Sequence, residues 1–537
     1  MQESQKQNYL HGAAILTAGV VITKILGAIY KIPLGNILGD EGYAHFMVAY
    51  NIYNVFLTLS TAGLPVALSR MISEADTLGR TMQMRRTFRV AFVTFACIGF
   101  LSSLIMFLFP TELASMMNDV EAAQSIWALS PAMFLVCMTS AYRGYAQGQS
   151  NMTPTTVSQI LDVLAKTLVG LALAWYFIRV GKSLPIASAG AIFGVTAGSI
   201  AALLYIAVYK HRHYPERTVS DPDVPDSPGR VLRRLLRIGI PITFGSCVLS
   251  MINLIDAKLV LNRLQVAAGF SYYDAKILYG IYGKAQTLYN LPAAFITPLT
   301  ISIVPAITAL IVQKKHAAAG EIAESSLRIA AVIALPMGVG LAVLAHPIVN
   351  VVYPGSNEAG PTLLLLLGIA SFFVCMALMT TAILQATGNE IYPVFSMIVG
   401  GLVKIAVNWF LVANPEINIT GAPLGTLTCY IVMCGMNYAF ICRSLKNRPR
   451  LSCVLLRPAG SAAVMGVTAW AVYHGAAALL GGMAALDWKR MAVSMLMAML
   501  AAVVVYVAAV VVTRAVTQED MKLIPRGEKI AKLLHIR

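Results

Sequence analysis

Charge is scarce along this chain. Of 537 residues, 12% are Asp, Glu, Lys or Arg and 58% are hydrophobic. Soluble domains are about a quarter charged, so a soluble globular protein is excluded. Cysteine is sparse as well. The eight are Cys97, Cys137, Cys247, Cys375, Cys429, Cys434, Cys442 and Cys453. None forms a CxxC pair and most fall inside apolar stretches, which fits small buried hydrophobes better than a disulfide or a zinc site. HExxH, GxxxxGK[ST] and GxSxG are all missing, and the histidines (His11, His45 and His346 among them) are scattered. Nothing here points to an enzyme, a metal or a cofactor. With no ATPase motif, the energy source is an ion gradient (Na+ or H+ as coupling cation), the membrane potential, or the substrate's own concentration.

Acids are the scarcer sign, leaving a net charge of +16. The cations cluster at the ends of apolar blocks, where lipid headgroups and the positive-inside bias account for them. That placement argues against nucleic acid as a partner.

Long apolar runs fill the rest, in blocks of about twenty residues, enough to cross roughly 30 Å of hydrocarbon. They are continuous rather than alternating, so they read as helices and not barrel strands. The expected fold is an all-α polytopic membrane protein of about fourteen transmembrane helices. Their spans are 12–37, 44–69, 90–110, 124–147, 154–178, 186–209, 238–262 and 277–311, then 327–353, 361–386, 391–413, 420–442, 457–481 and 491–513. The polar Met1–Leu10 followed by Gly12–Leu38 is too long for a signal peptide and reads as the first helix. Placing the N-terminus inside puts 27 Lys and Arg on the cytoplasmic side and 6 outside. Both termini are therefore expected to be cytoplasmic.

His211–Pro228 holds Pro215, Pro222, Pro225 and Pro228 with three aspartates, and reads as a cytoplasmic linker. The expected division is an N-lobe over 1–210, a linker over 211–230 and a C-lobe over 231–445. Two further helices follow over 446–516, then a cytoplasmic tail over 517–537. In that tail Ile530, Leu533 and Leu534 alternate with Lys529, Lys532 and Arg537, as in a short amphipathic helix on the inner leaflet or a disordered basic tail.

The halves repeat one another. Phe134-Leu-Val-Cys137-Met138 returns as Phe372-Phe-Val-Cys375-Met376. At the same offset Gln147 meets Gln385 and Lys166 meets Lys404, with Gly148 and Pro154 answered by Gly388 and Pro393. Six helices separate the copies, so the two six-helix lobes are expected to be related by a parallel pseudo-two-fold repeat, as in transporters that bind substrate at midplane.

Seven cations lie within or at the ends of the helices: Lys24, Lys31, Arg143, Lys166, Lys258, Lys284 and Lys404. A charge at helix centre costs about 2.5–3.5 kcal/mol to insert, so it normally faces an aqueous cavity or a partner. Thr17, Lys24, Gly27 and Lys31 share one helix face; Lys31 lines the cavity or snorkels to headgroups. Asp162 and Lys166, at i and i+4, either neutralise each other or face the cavity. Lys404 has Gly400 where Asp162 would be, which favours the cavity for both lysines. Gln147, Gln385 and Asn290 join the expected substrate-binding set. Asp256 and Lys258, at i and i+2, point to different faces. Asp256 pairs with a cavity lysine, binds a coupling cation or closes an outer gate; the sequence leaves the three open. Pro33, Pro65, Pro292 and Pro298 are candidate hinges where broken helices free backbone groups.

Several motifs carry a family resemblance. Ala62-Gly-Leu-Pro-Val-Ala-Leu-Ser-Arg-Met-Ile-Ser-Glu74 resembles the GxPxAxSxxxSE segment of the stage V sporulation protein B and YtgP group. Arg143-Gly-Tyr-Ala-Gln-Gly-Gln-Ser-Asn-Met-Thr-Pro-Thr-Thr-Val-Ser-Gln159 resembles its RGxxQGxxxMxPTAxSQ stretch, and Leu384–Gly388 and Gly421–Thr426 resemble later signatures. The likeness runs through nearly the whole chain and places it beside the MurJ lipid II flippases, within the multidrug, oligosaccharidyl-lipid and polysaccharide exporters. It implies a two-lobed bundle with an alternating central cavity, and a lipid-tail groove formed by the last two helices. Thr23-Lys-Ile-Leu-Gly27 resembles the SRxLG start of the flippases, so Lys24 stands where a cavity arginine is expected. The next such arginine falls at Tyr30, beside Lys31, and an expected Asp-Arg pair falls at Gln286-Thr287, near Lys284.

The expected activity is alternating-access export of a lipid-linked anionic glycan precursor, lipid II, from the inner to the outer leaflet, in vegetative growth or sporulation. The partners are that substrate and membrane lipids, with the protein a monomer, or associated with cell-wall synthesis enzymes. Rival readings are a carrier of another polyprenyl-linked saccharide, a cation-coupled multidrug exporter with acids in its cavity, and a membrane-embedded enzyme of wall synthesis. The orientation is checked with single cysteines in a cysteine-free background. In intact cells Asn357→Cys and Glu416→Cys should react with an impermeant maleimide, and Ser220→Cys and Lys315→Cys should not. Labelling at Ser220 overturns the orientation.

Overall fold

The computed structural model describes residues 2–213, 223–355, 357–445, 448–480, 487–517 and 520, with side chains from residue 18 onward except Leu249 and Cys453. The Thr17 side chain, the linker centre with Ser220, and the tail amphipathic segment lie outside the described residues. Among the described residues the structure is helical with no strand. It divides into two compact units, Met1–Asn262 with Ser271–Gly280, and Arg263–Phe270 with Ile281–Arg537.

The first unit contains α1 (Gln2–Thr61), α2 (Leu64–Thr77), α3 (Thr81–Leu108), α4 (Pro110–Met116), α5 (Ala123–Gly148), α6 (Thr153–Arg179) and α7 (Leu184–His213). It also holds most of α8 (Pro228–Val266) and the start of α9 (Tyr272–Tyr289). The second unit takes the rest of α9, α10 (Leu291–Val312), α11 (His316–Val343), α12 (Ala345–Val352), α13 (Ala359–Ala386) and α14 (Ile391–Leu411). It ends with α15 (Gly421–Ser444), α16 (Leu451–Leu479) and α17 (Trp488–Thr513).

Helix α1 is two arms joined at Gly39, where φ is 69° and ψ −168°. Only glycine adopts that region readily. The Tyr30 and Phe46 rings are 6.0 Å apart, whereas sixteen residues of straight helix would separate them by about 24 Å. The chain therefore doubles back at Gly39. Among the described residues thirteen apolar helical stretches are long enough to cross a membrane, and the first, Ala18–Thr77, contains this reversal. Counting its two arms gives fourteen crossings.

Three expected spans begin late. Those placed at 90, 238 and 327 start as helices at Thr81, Pro228 and His316. Their leading turns are rich in Arg, Met, Leu, Ala and Glu, which are good helix formers, so the helix continues past the apolar run. The ninth span also ends early as one helix and resumes after Leu344 as α12. Of the candidate hinges, Pro65 and Pro292 occupy the first turns of α2 and α10, just after breaks at Ala62–Gly63 and Asn290. Proline is tolerated there because those N–H groups have no helical acceptor. Pro33 and Pro298 lie inside α1 and α10.

Helices α6 and α7 meet through small residues. A Cβ on Gly194 would lie 2.6 Å from the Lys166 carbonyl oxygen, and one on Gly198 2.4 Å from that of Asp162. This backbone approach, the usual use of glycine between membrane helices, fixes the stretch of α6 that carries both charges. At the other end of the linker, Asp223 accepts from the Met82 and Gln83 amides at 2.7 and 3.0 Å and so caps α3. The Lys210 ammonium lies 3.2 Å from the Phe88 ring centroid and 4.9 Å from that of Tyr145.

The reversal predicts a specific sensitivity. Gly39→Ala should lower stability by about 1–3 kcal/mol through backbone strain alone, since a Cβ there meets nothing within 4 Å. Gly475→Ala, in helical α16 and equally unobstructed, should not lower it. Thermal unfolding in detergent measures both.

Candidate functional site

In the first unit the arms of α1 and helix α6 bring three lysines together. Lys31 Nζ is 5.3 Å from the Tyr50 ring centroid and Lys166 Nζ is 5.5 Å from that of Tyr30. Lys31 is within electrostatic reach of both Lys166 and Lys24, and all three lysines act on Tyr50. Lys24 is exposed, and Lys31 and Lys166 are half-buried. Among the described residues none of the three makes an ion pair. For Lys31 and Lys166 aromatic faces stand where carboxylates would, and their ring quadrupoles attract the ammonium groups. Tyr30 is locked in place, with its hydroxyl donating to the Ala191 carbonyl at 2.9 Å. A Cβ on Gly27 would meet nothing within 4 Å, so the lysine face of α1 is open there.

Asp162 resolves an ambiguity left by the spacing. Its ion pair is with Arg143 of α5, Nη2 to Oδ2 at 4.0 Å, and not with Lys166 one turn away, which only lies within its field. Arg143 Nε also donates to Ser158 Oγ at 2.9 Å. Arg143 is thus tied to two residues of α6 and is less available to a ligand than the lysines. Gln147 is half-buried one turn further along α5. On α8, Asp256 is buried and Lys258 exposed, on different faces as their spacing requires.

The remaining candidates are in the second unit. Lys284 is buried, 5.3 Å from the Tyr353 ring centroid. Lys404 is buried on α14 and acts electrostatically on Tyr430. Asn290 is exposed at the break before α10 and donates to the Gln286 carbonyl at 2.7 Å; Gln385 is exposed on α13. An apolar groove of about 600 Å³ is lined by Val339, Val343, Leu365, Gly466 and Trp470, from α11, α13 and α16.

A second charged cluster went unnoticed in the sequence. Lys276 is fully buried, binds Glu41 Oε1 at 3.2 Å and also the Glu121 carboxylate. His45 Nδ1 lies 2.7 Å from Asp119 Oδ2, and the Tyr272 hydroxyl donates to Asp119 Oδ1 at 3.1 Å. Burial, then the Asp119 carboxylate, push the Tyr272 hydroxyl above its usual range. Glu41 and His45, like Tyr272 and Lys276, are spaced i and i+4. That spacing was the available signal.

Comparison with known proteins adds a lineage. The profile of a family described as polysaccharide biosynthesis protein matches residues 9–311. Stage V sporulation protein B of Bacillus subtilis (strain 168) is 26% identical over 448 residues, spanning 82% of this chain and 85% of that protein. Lipid II flippase MurJ of the same strain is 23% identical over 449 residues, spanning 80% and 82%. A solved structure of lipid II flippase MurJ in an inward closed conformation aligns with a TM-score of 0.67 at 12% identity, covering 93% of this chain and 99% of that one. The fold is the one that structure has.

The two kinds of cation separate experimentally. Arg143→Met should cost about 1–3 kcal/mol of thermal stability, because it leaves the Asp162 carboxylate without its cation and Ser158 Oγ with only its bond to the Thr155 carbonyl. Lys166→Met should cost less, no more than the roughly 0.5–1 kcal/mol of its contact with the Tyr30 ring, since no carboxylate loses a bond.

Proposed function

This chain belongs to the polysaccharide biosynthesis protein family, and from that premise we propose that it is a flippase for a lipid-linked anionic saccharide precursor of the cell wall, with lipid II as the substrate. The observation that carries the reading is the cluster of Lys24, Lys31 and Lys166, with Lys31 and Lys166 on aromatic faces and, among the described residues, none of the three in an ion pair. Cations already neutralised by carboxylates offer little to a diphosphate; these three keep their charge for it. In a medium of low dielectric such attraction is far stronger than in water. Transport runs from the inner to the outer leaflet, with both chain termini cytoplasmic, driven by a coupling cation or the membrane potential. The named activity among the relatives is lipid flipping, which supports a carrier over an enzyme. A drug exporter that binds cations needs an acid free in its cavity, and in this cleft Asp162 is held by Arg143. Lys284 and Lys404 are the candidate cations on the second unit's own helices.

Lys24→Ala should slow flipping of a fluorescent lipid II analogue in proteoliposomes by about ten- to a hundredfold, the equivalent of one charge-assisted contact of roughly 1.5–3 kcal/mol. Expression and insertion should be unaffected, and Lys24→Arg should retain part of the rate because the charge survives. Unchanged flipping by Lys24→Ala sinks the proposed role of the cleft. Depletion in the host names the substrate: accumulation of a different polyprenyl-linked saccharide replaces lipid II while keeping the carrier class.

A further inference from the structure

The cluster around Lys276 has the composition of a metal site with an ammonium in the metal's place. Glu41, His45 and Glu121 each offer one ligand atom, and these atoms lie within 4.8 Å of one another. Two carboxylates and an imidazole are a donor set that divalent zinc-like ions accept. Acids alone would not suggest a ligand, but the histidine does. His45 Nδ1 lies 2.7 Å from Asp119 Oδ2, which turns the Nε2 edge of the ring toward Glu121. That Nε2 atom is buried, has no hydrogen-bond partner, and lies 3.5 Å from Glu121 Oε2. An imidazole held through Nδ1–H by a carboxylate, with Nε2 free and aimed at further carboxylates, is the arrangement that orients histidine toward a metal. The Tyr272 hydroxyl in turn holds Asp119.

We propose that Glu41, His45 and Glu121 form a divalent-cation site and that Lys276 occupies it as a built-in cation in the conformation described here. Lys276 meets Glu41 and Glu121, while Asp119 lies against His45 and Tyr272, so three carboxylates share one lysine. Lys276 bonds to the same two glutamates that would ligate the ion, so lysine and metal exclude each other. Lys276 lies one turn into α9, close after the turn at Gly269, where φ is 76°. Withdrawal of that first turn removes the ammonium and leaves two carboxylates and a poised imidazole for an ion from solution. On the orientation expected from the basic residues, this end of the first unit would face outward. The site is separate from the lysine cleft and does not depend on which substrate the cleft takes.

The test uses full-length protein purified in detergent and Zn2+ as the probe. Lys276→Ala should bind one Zn2+ per chain by titration calorimetry, at least tenfold more tightly than the unsubstituted protein, and Zn2+ should raise its melting temperature. Adding His45→Ala or Glu41→Gln to Lys276→Ala should abolish both effects, which separates the site from adventitious binding by cysteines or surface histidines. Zn2+ binding that survives His45→Ala overturns the proposal, as does Lys276→Ala binding no better than the unsubstituted protein. If Lys276→Ala is recovered only as aggregate, Lys276→Gln carries the same measurement. Failure of both to fold with Zn2+ present also overturns it, because an ion that substitutes for the ammonium must rescue its loss.

Discussion

An ammonium at the depth of a membrane helix costs about 2.5–3.5 kcal/mol to insert, and the first unit sets Lys31 and Lys166 against aromatic rings rather than carboxylates. The means for Lys31 is the reversal at Gly39. Lys31 and Tyr50 are nineteen residues apart, about 28 Å along a straight helix, yet the Nζ atom lies 5.3 Å from the ring centroid. The same reversal sets Glu41 and His45 on the first turns of the returning arm. One backbone conformation therefore supports both charged clusters of the unit.

The clusters treat charge in opposite ways. Around Lys276 the cation is fully buried among acids, so it holds elements together and has nothing left for a ligand. Around Lys24, Lys31 and Lys166, Asp162 is within reach of Lys166 but ion-paired at 4.0 Å with Arg143, which Ser158 also anchors. Close packing of Gly194 and Gly198 against the backbone of α6 keeps Asp162 and Lys166 where these choices are made. On the proposed reading an anion carrier uses this division, with paired charges stabilising a conformation and unpaired ones left for cargo.

Fourteen crossings were legible because hydropathy and length decide them, and both are properties of the sequence alone. Helix ends were not, since the Arg-, Ala- and Glu-rich flanks at 81–89, 228–237 and 316–326 extend helices past the apolar runs that mark the membrane. Each intramembrane lysine was visible as a charge in an apolar block. Its partner was not, because Tyr30 and Tyr50 look like any apolar position until the chain doubles back. The i and i+4 spacing of Asp162 and Lys166 offered a local pair, and the longer-range Arg143 took the acid instead. His45 looked isolated for the same reason: Asp119 is 74 positions away in sequence.

The identity of the cleft cations carries a physical consequence on the proposed reading. The family resemblance leads one to expect arginine near the start of the chain, and here the charges are Lys24 and Lys31. Guanidinium is a rigid fork that grips a phosphate through two parallel bonds, whereas ammonium is a compact point charge on a flexible stem. A carrier must release what it binds, and contacts that do not demand one phosphate orientation let the diphosphate pass from one lysine to the next. Aromatic rings under Lys31 and Lys166 suit that task better than carboxylates would, because a ring attracts the ammonium by only about 0.5–2 kcal/mol. The lysine can then leave its resting partner for the cargo and return to it once the cargo has gone.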